Sequence, residues 1–333
     1  MKNNKLALAN KGMTILIFIF CTIATLTAQT NIHFQFKKDH SFKIAQFTDF
    51  HWDNKSANCA KTIETIQQVL NNEKPDIAIL TGDIVTASPA KEGWLAIAKI
   101  FNDAKTPWAV TLGNHDAEPG LSRAEIFKLL ETLPYFVGSK GPAIYGSGNY
   151  TLPIAASDKK STAAVIYCMD SNDYSKDKKI AHYDWIHFDQ IDWYRKTSDK
   201  YTSANNNSPV PSVMFFHIPI VEFNNIVGKE TTIGIKKENV ASSEINSGIF
   251  ASLVEKKDIM GVFVGHDHND DFIGIYLNIC LAFGQVTGAD AYGELERGAR
   301  IIELQEGKFS FDSWIRTKTG ANFKYNYPSG KSM

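Results

Sequence analysis

Short runs of β-branched and aromatic residues alternate with stretches whose apolar positions recur every three or four residues, a rhythm of strands and helices in βαβ succession. The runs at 42–47, 77–80 and 108–112 predict strands. Between the first two, Ile63, Ile66, Val69 and Leu70 share one face of a helix expected over 60–71, and another helix is expected over 94–101. Ser122 with Glu125 three residues on is a capping box, opening a helix with Ile126, Leu129 and Leu130 on its apolar face. Beyond it the chain becomes richer in strands. Residues 150–154 and 163–169 read as an antiparallel pair, and 213–216 and 261–264 as buried strands. Residues 272–276, 280–283, 299–304 and 309–314 read as a closing meander with Glu306-Gly307 in a hairpin turn. The Asn- and Ser-rich stretch 196–211 predicts a polar loop. This alternation predicts the α/β class.

Composition narrows the partners. In 333 residues, 44% are hydrophobic and 21% charged, which excludes a disordered or coiled-coil chain. Thirty-five basic against 36 acidic residues leave no global field to attract a nucleic acid duplex or an anionic membrane. Lys2, Lys5 and Lys11 precede an apolar run over 13–28 that ends in Leu26-Thr27-Ala28, with no acidic residue before Asp39. This pattern predicts a signal peptide over 1–28 and a secreted or periplasmic protein, with one domain over 29–333. The run is shorter than the roughly 20 residues a membrane-spanning helix needs, so no stable insertion is expected after cleavage. Cys59, Cys168 and Cys280 remain, an odd set with two members in apolar runs, which reads as buried thiols and not as a disulfide framework.

Five segments carry the candidate chemistry, each an apolar strand running into a metal-ligand residue type. They lead to Asp49-Phe50-His51, Gly82-Asp83, Gly113-Asn114-His115-Asp116, Phe216-His217 and Gly265-His266-Asp267-His268. Ligands in α/β sheets gather outside the carboxyl ends of strands, so five such ends can converge on one crevice. Each piece alone has an ordinary reading: a turn, an Asx turn, a core histidine. Together they place Asp, Asn and His donors, without cysteine, in a set that suits Zn, Fe or Mn better than Ca and excludes a zinc ribbon.

In this order, Asp-x-His, Gly-Asp, Gly-Asn-His-Asp, a strand-end His and Gly-His-x-His resemble the calcineurin-like metallophosphoesterase superfamily over nearly the whole mature chain. Phe216-His217-Ile218-Pro219, Asn246-Ser247-Gly248, Gly265 to Asp270, Tyr183 to Ile186 and Arg297 to Leu304 resemble its purple acid phosphatase-related branch of Dcr2-type phosphoesterases. The resemblance implies a four-layered α/β/β/α sandwich with mixed sheets and two divalent or mixed-valence metal ions, Fe, Mn or Zn. It implies that Asp49, His51, Asp83 and His268 hold one ion and Asp83, Asn114, His217 and His266 the other, with Asp83 bridging. It further implies that Asn114 and His115 meet the substrate phosphate. His115 would stabilise the transition state and protonate the leaving group, or else only orient Asn114, and Asp116 would orient His115. Purple acid phosphatases have glycine at the position of His51 and a ligand tyrosine at that of Thr86, so their coloured iron centre is not expected here.

The activity expected from this resemblance is hydrolysis of phosphate monoesters, on a phosphorylated small molecule or peptide. Diester or nucleotide hydrolysis is the alternative within the class, and a non-catalytic phosphate-binding module the alternative outside it. Three weaker candidates stay open. Trp52 either packs or stacks on a leaving group, Asp290 and Tyr292 are placed to line the pocket, and Arg300 either binds phosphate or pairs with Glu303.

Overall fold

The computed structural model describes residues 32–332; the segment 1–28 expected to be a signal peptide lies outside them. In chain order the elements are β1 (Phe34–Gln35), β2 (Ser41–Phe47), α1 (Cys59–Glu73), β3 (Ile77–Thr81), α2 (Ala90–Asp103), β4 (Trp108–Thr111), α3 (Arg123–Leu130), β5 (Tyr150–Ala155) and β6 (Thr162–Cys168). They continue with α4 (Phe188–Ala204), β7 (Ser212–Phe215), a 3₁₀ turn (Val221–Ile226), α5 (Ile249–Lys256), β8 (Ile259–Val264), β9 (Ile273–Tyr276), β10 (Ile279–Phe283), β11 (Gly298–Gln305), β12 (Phe311–Thr317), β13 (Gly320–Tyr327) and β14 (Lys331–Ser332). No helix among the described residues is long and apolar enough to cross a membrane.

Two mixed seven-stranded sheets form the centre, in the orders β1-β5-β6-β7-β8-β10-β9 and β14-β13-β12-β11-β2-β3-β4. The central strands of the first sheet, β6, β7, β8 and β10, are largely apolar on both faces because both are covered. Along β6, Ala164, Ile166 and Cys168 enter the core between the sheets, while Val165, Tyr167 and Met169 enter a second core with Ile191 and Tyr194 of α4 and Leu253 of α5. Period-two side-chain direction thus feeds two cores from one continuous apolar run. Ile66, Val69 and Leu70 of α1 and Trp94, Ile97 and Phe101 of α2 are buried in the same cluster as the second sheet. The result is the four-layered α/β/β/α sandwich. Ser122 caps α3 with the expected reciprocal bonds to Glu125.

Two expectations fail. The closing meander is split: β9 and β10 belong to the first sheet, with β10 parallel to β8, whereas β11 crosses to the second sheet and pairs antiparallel with β2. Hydrophobic periodicity records that a strand is buried and not which neighbour buries it. Glu306-Gly307 does turn between β11 and β12, and β13 and β14 extend that sheet beyond the expected strands. The second failure is the polar stretch 196–211, much of which belongs to α4. Ile191, Tyr194 and Ser198 form its buried stripe, with Tyr201 packed at the same spacing. A serine in the buried row hid the period.

Candidate metal centre

The second sheet contributes the ends of β2, β3 and β4 and the first sheet those of β7 and β8, so the centre lies where the carboxyl ends of both sheets meet. All five expected segments converge there. Four of the seven ligand types do not sit in extended chain. Asp49, His51, Asp83 and His266 have φ of 54, 46, 51 and 82°, a region that non-glycine residues occupy only under tertiary constraint. The constraint is visible: Asp49 N–H donates to Gly82 O at 3.0 Å and His51 N–H to Asp83 O at 2.9 Å. Two glycines permit the approach. Gly82 has φ +85°, and a Cβ there would lie 2.4 Å from His217 Nδ1; one on Gly113 would lie 2.2 Å from Asp83 Oδ1.

Two groups of donors result, Asp49 with His51 and His268, and Asp83 with His217 and His266. His268 Nε2 stands 3.3 Å from Asp49 Oδ1 and 3.2 Å from His51 Nε2. His217 Nε2 stands 3.3 Å from Asp83 Oδ2 and 3.2 Å from His266 Nδ1. The same Asp83 oxygen lies 3.8 Å from His51 Nε2, so it faces both groups. Asn114 gives its amide N–H to Tyr174 Oη at 3.0 Å, which leaves Oδ1 buried and without a hydrogen-bond partner.

These donors fit metal ions. His217 Nδ1 lies 2.7 Å from Thr81 O, so it is the donating nitrogen and Nε2 of the neutral ring presents a lone pair to the Asp83 carboxylate. Two facing acceptors need a proton or a metal ion between them, and the charges of the cluster's own groups set where a proton sits. Burial disfavours the Asp83 carboxylate, but His217 beside it prevails and holds it well below the usual range. Burial likewise opposes charge on His217, yet Asp83 raises it to about 9. Burial, then His217, pushes His266 down to about 3.

Asp116 does not orient His115. Its buried carboxylate instead accepts the backbone N–H groups of Asp83, Ile84, Val85 and Gly113 at 2.7–3.0 Å, lacing the β3 loop to the β4 loop. Burial, followed by the nearby Asp83 charge, raises it to about 6. His115 is bracketed by residues not anticipated from the sequence: Glu118 Oε2 lies 2.9 Å from Nδ1 and Tyr174 Oη 3.4 Å from Nε2. Its backbone N–H donates to Asp83 Oδ1 at 2.9 Å. Tyr174 lies between β6 and α4, where no periodic pattern marks it. Glu118, three residues after His115, was open to inspection.

The weaker candidates resolve separately. Arg300 neither lines the site nor pairs with Glu303; fully buried, it donates to Phe283 O, Ser313 Oγ and Asp271 O. Trp52 is buried in the core. Asp290 accepts from Asn58 on the surface, whereas Tyr292 does line the cleft of about 250 Å³ above the centre.

A sandwich with two donor groups at the seam of its sheets defines a class, and comparison names it. The chain belongs to the calcineurin-like phosphoesterase family, whose model matches residues 42–270. That family places it among the hydrolases acting on phosphoric ester bonds; its members bind two metal ions, for which the two donor groups are the candidate sites. The chain is 32% identical over 324 residues to the Arabidopsis thaliana protein named probable inactive purple acid phosphatase 29, covering 87% of this chain and 83% of that one. It is 30% identical over 316 residues to phosphatase DCR2 of Saccharomyces cerevisiae, covering 83% of this chain and 53% of that protein. A dimetal phosphatase from Danio rerio has the same fold with a TM-score of 0.58 and 9% identity, covering 86% of this chain and 98% of that one. Purple acid phosphatase PPD1 from yellow lupin does so at 0.54 and 13%, covering 86% and 53%.

Proposed function

We propose that the protein hydrolyses phosphate monoesters at a dinuclear centre, with Asp49, His51, Asp83 and His268 holding one ion and Asp83, Asn114, His217 and His266 the other. The observation that carries this is the Asp83 oxygen facing His217 at 3.3 Å and His51 at 3.8 Å, one from each donor group. Two bound ions of the Fe, Mn or Zn type would lower the pKa of water and clamp phosphoryl oxygens for in-line displacement. The chain does the rest. His217 and Asp49 keep their geometry through Thr81 O and the His266 N–H. His115, about a third exposed in the cleft wall, offers Nε2 as the proton source for the leaving oxygen while Glu118 holds Nδ1.

Metal analysis, followed by turnover of monoesters, diesters and nucleotides after reloading with Mn, Fe or Zn, tests this reading. Faster diester hydrolysis would move the substrate class. Phosphate binding without turnover would favour a non-catalytic module, a reading motivated by the word inactive in the names of several relatives. Export is part of the proposal, supported by the lysines and apolar run of the first 28 residues. A mature protein that keeps its initiating methionine and stays inside the cell would refute it.

A further inference from the structure

The walls of the cleft carry information that the metal ligands do not. Beyond the metal-centre residues and His115, its lining is Tyr183, Tyr292, Glu238, Asn239, Ala241 and Asp267, with no lysine or arginine. Nearby lysines are held by other groups: Lys236 donates to the Glu238 backbone carbonyl, Lys237 pairs with Glu294 at 3.2 Å and Lys178 lies 4.4 Å over the Tyr174 ring. A leaving group bearing a second phosphate or a carboxylate would therefore meet acidic and aromatic groups with no lysine or arginine in the cleft lining to neutralise it.

Tyr292 is 55% exposed, yet three anchors set its position. Its ring stacks on His268 at 3.9 Å and 26°. Its hydroxyl donates to Glu238 Oε2 at 2.9 Å, while Glu238 Oε1 accepts the Asn269 N–H at 2.6 Å. Arg297 pins the surrounding turn through Gly288 O at 2.8 Å and Ala291 O at 2.5 Å. Tyr183 forms a second aromatic wall, perpendicular to His266 at 4.7 Å and stacked with Tyr174 at 5.7 Å and 21°. A phenol that donates to a carboxylate has a more electron-rich ring, and such a face attracts cations, quaternary ammonium groups above all.

We propose, resting on the monoesterase reading above, that the leaving-group side of the cleft selects a compact cationic ammonium, so that the substrate class is the phosphate monoesters of amino alcohols. Tyr292 and Tyr183 supply the aromatic faces and Glu238 the fixed negative charge.

A charge series tests it on the metal-loaded full chain. Choline phosphate and 3,3-dimethylbutyl phosphate have nearly the same shape and differ in one positive charge; phosphoglycolate carries a negative one. The expected kcat/KM for choline phosphate exceeds that for the neutral isostere by about tenfold, between the scales of an exposed and a desolvated cation–π contact, with phosphoglycolate below both. Glu238→Gln and Tyr292→Leu should each draw the choline-to-isostere ratio toward one, a readout that loss of folded protein does not move. A wild-type ratio of one or less overturns the inference, as does an undiminished ratio in both variants. p-Nitrophenyl phosphate separates the two readings: if it is hydrolysed without charge preference among the esters, only this inference falls. If neither it nor any of the other monoesters is hydrolysed, the monoesterase reading falls, and the ratio of calorimetric Kd values for the same pair decides the charge preference.

Discussion

Asp83 Oδ2 stands 3.3 Å from His217 Nε2, and His217 Nδ1 is 2.7 Å from the Thr81 carbonyl. The carbonyl fixes the tautomer of the neutral ring, so the nitrogen facing Asp83 is the one that can offer a lone pair to a metal ion. Asp83→Asn removes the charge between the two donor groups. We expect metal content to fall below two ions per chain and kcat to drop by more than about 10²-fold, since even residues behind a metal ligand are worth 10–100-fold. Two retained metals with normal turnover would contradict the bridging role.

His115 is read from leaving-group dependence. General acid catalysis contributes about 10²- to 10⁴-fold where the departing oxygen needs a proton. His115→Ala should depress kcat strongly for an alkyl phosphate and far less for p-nitrophenyl phosphate, whose leaving group is already a stable anion. Equal losses on both would leave His115 as a charge stabiliser only.

Colour is a third expectation. Tyr174 Oη is engaged with Asn114, and Tyr292 Oη with Glu238. Burial raises Tyr183 to about 12, away from tyrosinate. An iron-loaded sample should therefore lack a strong visible tyrosinate-to-iron band, and a purple protein would mean that one of these phenols binds the metal.

Asp116 accepts four backbone N–H groups, and Asp116→Ala would leave them buried without partners. With each such group costing about 1–3 kcal/mol, partly relieved by water, a loss of about 3–5 kcal/mol is expected in denaturant unfolding. A loss under about 1 kcal/mol would show that the loops hold without it.

Asp258 gives a pH signature away from the centre. Burial raises its carboxyl, although Tyr194 Oη donates to it at 2.6 Å. Its folded pKa exceeds its unfolded value, so the folded state binds the extra proton between the two values and stability falls as pH rises through that window. Asp258→Asn should flatten this slope in unfolding free energy measured from pH 3 to 7. An unchanged slope would assign the burial penalty elsewhere.

Much was open to reading from the chain itself. Apolar runs marked β2, β3, β4, β7 and β8 because strands covered on both faces need continuous hydrophobicity, and the ligand types directly after them marked the centre. Ser122 and Glu125 marked the start of α3 because a cap is a local device spanning three residues. Tertiary structure alone decided the rest. Whether β10 pairs with β8 or β11 depends on partners distant in sequence, and period-two patterning is the same in either sheet. Arg300 and Asp116 carry charges that suggested chemistry, yet both satisfy buried backbone groups, a role set by which carbonyls and amides the fold leaves unpaired. Glu118, Tyr174 and Tyr292 reach His115, Asn114 and His268, with Glu238 holding Tyr292, through loop conformations that no local propensity dictates. The candidate ligands were thus written in strand-end chemistry, while their meeting, such as that of His51 and His268 at a separation of 217 residues, and the surroundings that tune them arose from close packing between distant segments.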